Sequence, residues 1–260
     1  MSQDDRPDMR RHQSARPQDV GNLASAVLRV VGNRQTVTGG GVRQFVLDHL
    51  VRAILTPSVF DARGIAEELN AHRVHPDAVI DLYIPCAARV LGVMWSEDDI
   101  SFASVTVGTM RLQSVLEETF AAAEPKHISA TGWVSTMIVV PEREQHILGA
   151  FVLSAQLRRM GCDVSHSFDE TPRALAARIR ANHFDLVLLS CSSEMALEDI
   201  AKTVASIRKA VPDGPIIALG GAFQADAAKA KKLTGVDIVT NVAKDALAFC
   251  DKGVKAPSAL

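Results

Sequence analysis

Residues 133–149 read WVSTMIVVPEREQHILG, which joins a hydrophobic run, a polar loop and the start of an amphipathic pattern. Residues 133–140 have the length and apolar character of a buried β-strand. Glu144 stands two positions before His146 in the loop, and Gly149 follows three positions after the histidine. A carboxylate can orient a metal-binding histidine, and a glycine lets a large planar ligand approach the backbone. The stretch therefore indicates a ligand or metal site at a strand end, with a capping or solvated histidine as the alternative interpretation of this motif alone.

Two later hydrophobic runs also end in small residues. Residues 184–189 continue into Ser190-Cys191-Ser192, and residues 215–219 continue into Gly220-Gly221. In an open α/β sheet, ligands bind beyond the carboxyl ends of the strands. We therefore expect the histidine loop, the serine loop and the glycine loop to face a common crevice.

The second half of the chain alternates hydrophobic runs with amphipathic stretches. This alternation predicts strands at about 133–140, 163–168, 185–190, 215–219 and 237–240, and helices at about 146–160, 172–182, 195–210, 224–233 and 242–251. Strand and helix repeated in this way imply an α/β fold with a doubly wound, five-stranded parallel sheet. The predicted sheet domain covers 133–252, and 253–260 form a tail.

The first half predicts helices only. Residues 1–41 are polar at first, contain a short apolar stretch at 23–31, and are predicted to form a mobile extension with room for one short helix. Residues 124–132 are predicted to form a linker. Between them, residues 42–123 show helical spacing and predict a four-helix bundle. Its helices are expected at about 42–54, 61–73, 76–91 with a bend at Pro85, and from Ser101 as N-cap onward.

Composition limits the possible functions. The 260-residue chain is 47% hydrophobic and 22% charged, with a net charge of −2, which argues against direct binding to nucleic acid. The four cysteines are far apart, so neither a zinc site nor a disulfide framework is indicated. The N-terminus leads into no apolar stretch of signal or membrane-spanning length. The sequence therefore predicts a cytoplasmic protein that does not bind a membrane.

The three strand-end motifs resemble those of a cobalamin-binding domain, which are Asp-x-His-x-x-Gly, Ser-x-Leu and Gly-Gly. The resemblance implies that His146 is the lower axial ligand of cobalt and that Glu144 orients it. It also implies a slot for the nucleotide tail of cobalamin, lined by Gly149, Ser190, Ser192, Gly220 and Gly221. Glu144 replaces the usual aspartate, and Ser192 replaces the usual leucine. We expect a bulky side chain at Gly221 to block the tail and leave the fold intact.

The segment Gly92-Val93-Met94-Trp95 resembles the Gly-x-x-Trp segment that a helical bundle lays over the upper corrin face in such proteins. Together with Val105-Thr106 and Arg111-Leu112-Gln113, it is most similar to the AerR/PpaA group of cobalamin-dependent antirepressors. That resemblance implies a light-responsive regulator without enzymatic turnover, whose partner is a CrtJ/PpsR-type repressor of photosynthesis genes. The related CarH photoreceptors carry a Glu-His pair where this chain has Val105-Thr106. A light-driven bis-histidine step is therefore not implied.

Two alternative functions stay open. A corrinoid carrier for a separate methyltransferase needs only these two domains, and a heme-binding sensor could use the same scaffold. The serine and glycine loops favour cobalamin, because heme has no nucleotide tail. Of the remaining histidines, His166 shares a strand face with Val164 and Phe168 and is expected to be a hydrogen-bonded histidine at the margin of the core.

Overall fold

The computed structural model describes residues 41–123, 134–141, 147–221 and 226–254. The chain divides into two compact units, Met1–Glu118 and Thr119–Leu260. Apart from Gly41, the predicted extension lies outside the described residues, and so do the predicted linker and residues 255–260 of the predicted tail. The predicted limits of the bundle, the linker and the sheet domain stay predictions.

The first unit is helical, as predicted. Its helices are α1 (Gln44–Leu55), α2 (Ala62–Ala71), α3 (Pro76–Ser96) and α4, which begins in this unit (Phe102–Ala122). Leu50, Ile54 and Ile84 are completely buried at its core. The predicted N-cap of α4 is confirmed, because the Ser101 hydroxyl accepts a hydrogen bond from the Ser104 amide at 3.1 Å.

Helix α3 contains a π-helical turn, Val79–Tyr83, which ends two residues before Pro85. Proline has no amide hydrogen, and its ring disturbs the carbonyl four residues earlier. In the π turn, the Ile84 amide donates to the Val79 carbonyl five residues back, so that the hydrogen-bond pattern shifts by one residue before the proline. The wider turn lets the helix continue past Pro85.

Helix α3 runs on to Ser96, which corrects the predicted end near residue 91. Gly92 and Trp95 therefore lie on the helix and not in the connection that follows it. By length and composition alone this 21-residue helix could cross a membrane, but half of its most apolar window is buried within the protein. Such burial is typical of a core helix.

Arg111 of α4 holds the connection that follows α1. Its guanidinium donates to the carbonyls of Ile54 at 2.9 Å, Thr56 at 2.7 Å and Ser58 at 3.0 Å. It also lies 5.0 Å from the centre of the Phe60 ring. A guanidinium can satisfy several acceptors at once because its donors form a rigid fork. This contact network accounts for arginine at that position.

The described residues of the second unit form a sheet of five parallel strands, which confirms the predicted sheet. The strands are β1 (Val134–Val140), β2 (Cys162–Phe168), β3 (Leu186–Ser190), β4 (Ile216–Gly220) and β5 (Ile238–Val239). Their order across the sheet is β2-β1-β3-β4-β5. The central strands are apolar on both faces because helices cover both sides of the sheet.

The helices of this unit alternate with the strands. They are α5 (Ile147–Arg159), α6 (Pro172–Ala181), α7 (Leu197–Ala210), α8 (Ala227–Thr234) and α9 (Ala243–Val254). Ile138 and Leu188 belong to the core that includes residues of α5 and α9. Met137 and Val187 belong to the core formed with α6, α7 and α8. The doubly wound arrangement predicted from the sequence is therefore confirmed.

Strand β2 forms one edge of the sheet, and two arginines bind its carbonyl groups. Arg158 of α5 donates to the Val164 carbonyl at 3.2 Å, and Arg178 of α6 donates to the His166 carbonyl at 3.0 Å. Charged side chains along an edge strand limit its pairing with other chains.

His166 lies within an aromatic cluster on β2. Its ring stacks on Phe168 with centroids 5.6 Å apart and an interplanar angle of 9°, and it lies 5.6 Å from the Phe151 ring. Its buried Nε2 atom has no hydrogen-bond partner in the described part of the chain, which corrects the expectation of a hydrogen-bonded histidine. Burial, and secondarily the positive charge of Arg158, lowers the pKa of His166, because the charged ring is poorly solvated there.

Candidate functional site

The carboxyl ends of the five strands share one edge of the sheet, because all the strands are parallel. The chain passes from β1 outward to β2 and then returns to β3 on the other side of β1. Ligands bind in open α/β sheets at the carboxyl edge where the strand order reverses in this way. The reversal lies between β1 and β3, which are the strands followed by the histidine loop and the serine loop.

The proposed metal ligand follows β1 in the sequence. His146 and Glu144 both lie outside the described residues, between Pro141 and Ile147. Within the described residues, no group of three or more histidine, cysteine, aspartate or glutamate side chains could hold a metal ion. Cobalt held by one histidine does not need such a group. The roles of His146 and Glu144 stay predictions.

Ser190 and Gly220 are register partners at the ends of β3 and β4. Leu188 and Ala218, two residues earlier in each strand, belong to the core shared with α5 and α9. Since side chains alternate along a strand, the register assigns Ser190 and Gly220 to that same face. Ser190 is half-buried, and Ser192 in the following loop is half-buried as well. Small residues therefore end two neighbouring strands on the side of α5.

Gly149 is the third residue of α5 and is exposed. Apart from its chain neighbours and the backbone of its own helix, no atom of the described residues would lie within 4 Å of a Cβ added at this position. Glycine within a helix costs roughly 0.5–1 kcal/mol relative to alanine. Packing among the described residues gives no reason for this cost, whereas a ligand lying against the first turn of α5 does. This open position is an observation of the structure that fits a bulky cofactor.

The glycine loop is fixed by contacts within the protein. Gly221 has a φ of +130°, and a Cβ there would lie 1.9 Å from the Cys191 carbonyl oxygen. A Cβ at Gly220 would lie 2.8 Å from the Thr240 carbonyl oxygen. Both glycines are therefore needed for backbone packing. The expectation that a bulky side chain at Gly221 leaves the fold intact is wrong, because that side chain would collide with the Cys191 backbone.

Asn241 was not among the residues predicted from the sequence, yet it binds the glycine loop directly. Its Oδ1 accepts a hydrogen bond from the Gly221 amide at 2.7 Å, and its Nδ2 donates to the Gly221 carbonyl at 3.1 Å. The preceding Thr240 donates its amide to the Leu219 carbonyl at 2.9 Å. Both residues follow β5, so the strand-end rule that selected the other loops would also have selected this one.

The first unit exposes an aromatic pair formed by Trp95 and Phe102. Their ring centroids are 6.1 Å apart, and the residues are 49% and 62% exposed. Gly92 lies one turn before Trp95. Outside its chain neighbours and its own helix backbone, no atom of the described part of the chain would lie within 4 Å of a Cβ added there. On α4, Val105 is half-buried, and the exposed Thr106 donates its hydroxyl to the Phe102 carbonyl at 3.0 Å. A clustered apolar surface of this kind is characteristic of a ligand or partner contact. Its position over a corrin stays a prediction.

Comparisons with known proteins identify the class of cofactor. The family model described as B12 binding domain matches residues 134–249. The chain is 32% identical over 175 residues to an uncharacterized 20.5 kDa protein in the bchF-crtJ intergenic region of Rhodobacter capsulatus. The aligned residues cover 67% of this chain and 91% of the relative. The monomethylamine corrinoid protein of Methanosarcina barkeri has a similar fold, with a TM-score of 0.63 and 16% identity over 80% of this chain and 99% of that one.

The family match includes all five strands and the serine, glycine and asparagine loops. It also includes the open position at Gly149. The predicted cobalamin cofactor is confirmed by this match, and the relative encoded beside crtJ is consistent with the AerR/PpaA resemblance. The chain therefore belongs to the family of proteins with a B12 binding domain.

Proposed function

We propose that this protein is a light-responsive, cobalamin-binding regulator that antagonises a CrtJ/PpsR-type repressor of photosynthesis genes. The observation that carries the proposal is the relative from the bchF-crtJ intergenic region, 91% of whose length is matched. That relative lies in the region between bchF and crtJ, and the CrtJ-type repressor of this proposal shares its name with the second of these genes. In this proposal the protein acts in the cytoplasm and catalyses no reaction of its own.

The residues proposed to hold the cofactor have separate tasks. His146 binds cobalt through one ring nitrogen, and Glu144 accepts a hydrogen bond from the other nitrogen and so fixes the tautomer. Gly149 and Ser190 leave room for the nucleotide tail between α5 and the ends of the strands. When bound, cobalamin would supply a cobalt ion whose ligands can exchange and, in its alkyl forms, a cobalt–carbon bond that light can break.

The helical unit is proposed to respond to the state of the cofactor by changing the surface that it presents to a partner protein. A ligand shifts a two-state protein only through its different affinities for the two states. Trp95 and Phe102 present an exposed apolar pair that can contact the corrin in one state and a partner in the other. Val105 and Thr106 offer no histidine to cobalt, so this response does not use the upper ligand found in CarH proteins.

A corrinoid carrier for a methyltransferase is the second candidate. The observation that favours it is the fold likeness to the monomethylamine corrinoid protein. At 16% identity that likeness concerns the fold alone. A heme sensor is less favoured, because the matched family binds B12 and heme would leave the tail slot empty.

A pull-down distinguishes the first two candidates. The protein is prepared without cofactor, loaded with a light-sensitive alkylcobalamin in the dark, and loaded and then illuminated. Each form is mixed with a purified CrtJ/PpsR-type repressor and, separately, with a corrinoid methyltransferase. We expect capture of the repressor to differ between the dark and illuminated forms. Equal capture in all three forms, or no capture in any, would refute antirepressor function.

A second experiment tests the axial ligand. We expect His146→Ala to weaken cobalamin binding and to change the visible spectrum of cobalt, because the imidazole nitrogen is lost. Glu144→Gln should have a smaller effect, since orienting residues contribute about 10- to 100-fold to metal affinity. His183→Ala is the matched control, because the His183 side chain is 92% exposed just before β3, at the opposite edge of the sheet. An unchanged spectrum in His146→Ala would show that another group binds cobalt.

A further inference from the structure

We propose that Asn241 is a positioning residue for the nucleotide tail of cobalamin, because its side-chain amide holds the glycine loop in the conformation that keeps the tail slot open. The inference rests on the tail slot proposed above. It adds to that slot a residue outside the histidine, serine and glycine motifs.

The side chain of Asn241 makes hydrogen bonds to the chain after β4 that the backbone of a longer β5 would otherwise make. Strand β5 has only two residues and pairs with β4 at Ala218 and Leu219. The Thr240 amide extends this pairing by donating to the Leu219 carbonyl. At Gly221 the side chain of Asn241 continues it, because the amide group both accepts from the Gly221 nitrogen and donates to the Gly221 oxygen. Both backbone polar groups of Gly221 are therefore used within the protein.

Few backbone conformations of Gly221 are compatible with the packing of the loop that Asn241 binds. Gly221 has a positive φ, and its Cα lies so near the Cys191 backbone that a Cβ would be 1.9 Å from the carbonyl oxygen. Cys191 in turn donates its amide to the Gly220 carbonyl at 2.9 Å. Glycine can adopt many other backbone conformations, so the loop depends on its hydrogen bonds to select one. Without Asn241 we expect the loop to move relative to Ser190, which ends the adjacent strand.

Loss of the loop conformation lowers affinity in a predictable way. The apparent dissociation constant rises in inverse proportion to the fraction of molecules in the binding-competent conformation. Removal of two hydrogen bonds to an exposed loop is enough to reduce that fraction to roughly a tenth. The effect should concern the tail and not the corrin ring, because the loop belongs to the proposed tail slot.

The experiment compares Asn241→Ala and Asn241→Asp with wild-type protein. Aspartate can accept from the Gly221 amide but, when ionised, cannot donate to the carbonyl, and alanine can do neither. Asn182→Ala is the matched control, since the exposed Asn182 caps α6 by donating to the Arg178 carbonyl, before β3 and away from the loop. Each protein is titrated with cobalamin and with cobinamide, which lacks the tail, and the thermal unfolding of each apoprotein is recorded.

We expect Asn241→Ala to bind cobalamin about 10-fold more weakly, and Asn241→Asp to bind it more weakly by a smaller factor, because aspartate keeps one of the two hydrogen bonds. Both variants should bind cobinamide within about twofold of wild type and unfold near the wild-type temperature. Asn182→Ala should bind both corrinoids as wild type does. If Asn241→Ala were poorly folded, Asn241→Asp would supply the comparison, because it keeps the shape of the side chain. Unchanged cobalamin affinity, or an equal loss for both corrinoids, would overturn the role of Asn241. Wild-type protein that bound cobalamin no better than cobinamide would instead overturn the tail slot itself.

Discussion

Gly149→Ala should stabilise the apoprotein and weaken cobalamin binding at the same time. Beyond its own helix backbone and chain neighbours, the added methyl group meets no atom within 4 Å among the residues that the structure describes, so the apoprotein gains the helix preference of alanine over glycine, about 0.5–1 kcal/mol. For a chain of this size that gain corresponds to a rise in melting temperature of roughly 1–4 °C. In the proposed site, the same methyl group would occupy space that the nucleotide tail of cobalamin requires. Overpacking by one methyl group typically costs about 1–3 kcal/mol, which is about a 5- to 150-fold loss of affinity.

The two effects have opposite signs in a single assay. A bound ligand raises stability in proportion to the logarithm of its concentration over the dissociation constant, so a tenfold weaker affinity removes about 1.4 kcal/mol at saturation. Thermal unfolding with and without excess cobalamin should therefore give a higher melting temperature for apo Gly149→Ala and a lower one for its loaded form. Gly92→Ala is the comparison variant, because it also fills open space on a helix but should affect cobalamin and cobinamide equally.

Two results would refute the reasoning. A lower melting temperature of apo Gly149→Ala would mean that the position is not open. Wild-type affinity for cobalamin in a stabilised Gly149→Ala would mean that the glycine does not face the cofactor.

Three further predictions concern residues whose contacts are described above. Gly221→Ala should destabilise the apoprotein by about 1–3 kcal/mol in urea unfolding, in contrast to Gly149→Ala, because its Cβ would overlap the backbone of the serine loop; stability equal to wild type would contradict that packing. Arg111→Ala should destabilise the helical unit by about 1–3 kcal/mol, since three carbonyls lose a charged donor, and Arg111→Lys should recover only part of the loss for lack of a fork; full recovery by lysine would argue against the fork. The pKa of His166 is lowered in the folded protein, whereas in the unfolded chain it has the ordinary histidine value of about 6.5. As the pH decreases from about 7, the unfolded chain therefore takes up a proton before the folded protein does, and the free energy of unfolding should fall. His166→Phe should reduce this pH dependence between about pH 7 and 5 in urea unfolding, and an unchanged slope would exclude His166 as its source.

Most of the fold could be predicted because it depends on patterns of hydrophobic residues. The run at 134–140 and its polar loop predict a strand end, and the same pattern recurs at β3 and β4. Parallel strands then place their carboxyl ends on one edge, so the meeting of the serine and glycine loops follows from the topology. The course of helix α3 was harder to predict from the sequence. A proline predicts a disturbance of the helix, but not whether the helix bends, ends or accommodates the proline with a π turn.

The candidate site was predicted less completely, because a sequence does not show why a residue type is required. Gly149 and Gly221 are both glycines near strand ends, yet one has open space around it and the other has a neighbouring backbone. Asn241 acts through backbone groups twenty residues away, a contact that depends on how two loops are folded. His166 was expected to find a hydrogen-bond partner, but its neighbours on the strand and on α5 are aromatic rings.

The arginine contacts at β2 restrict the ways in which this protein can associate with others. A strand offered by a second molecule would need the carbonyls of Val164 and His166, and each already accepts a hydrogen bond from a guanidinium. Pairing at this edge would require displacement of two charged donors, which costs free energy that pairing with an unoccupied edge strand does not. Extension of the sheet across this edge is therefore disfavoured. A partner that binds at this edge must then be recognised by side chains on helices and loops, where a change of a few residues can alter specificity and leave the sheet unchanged.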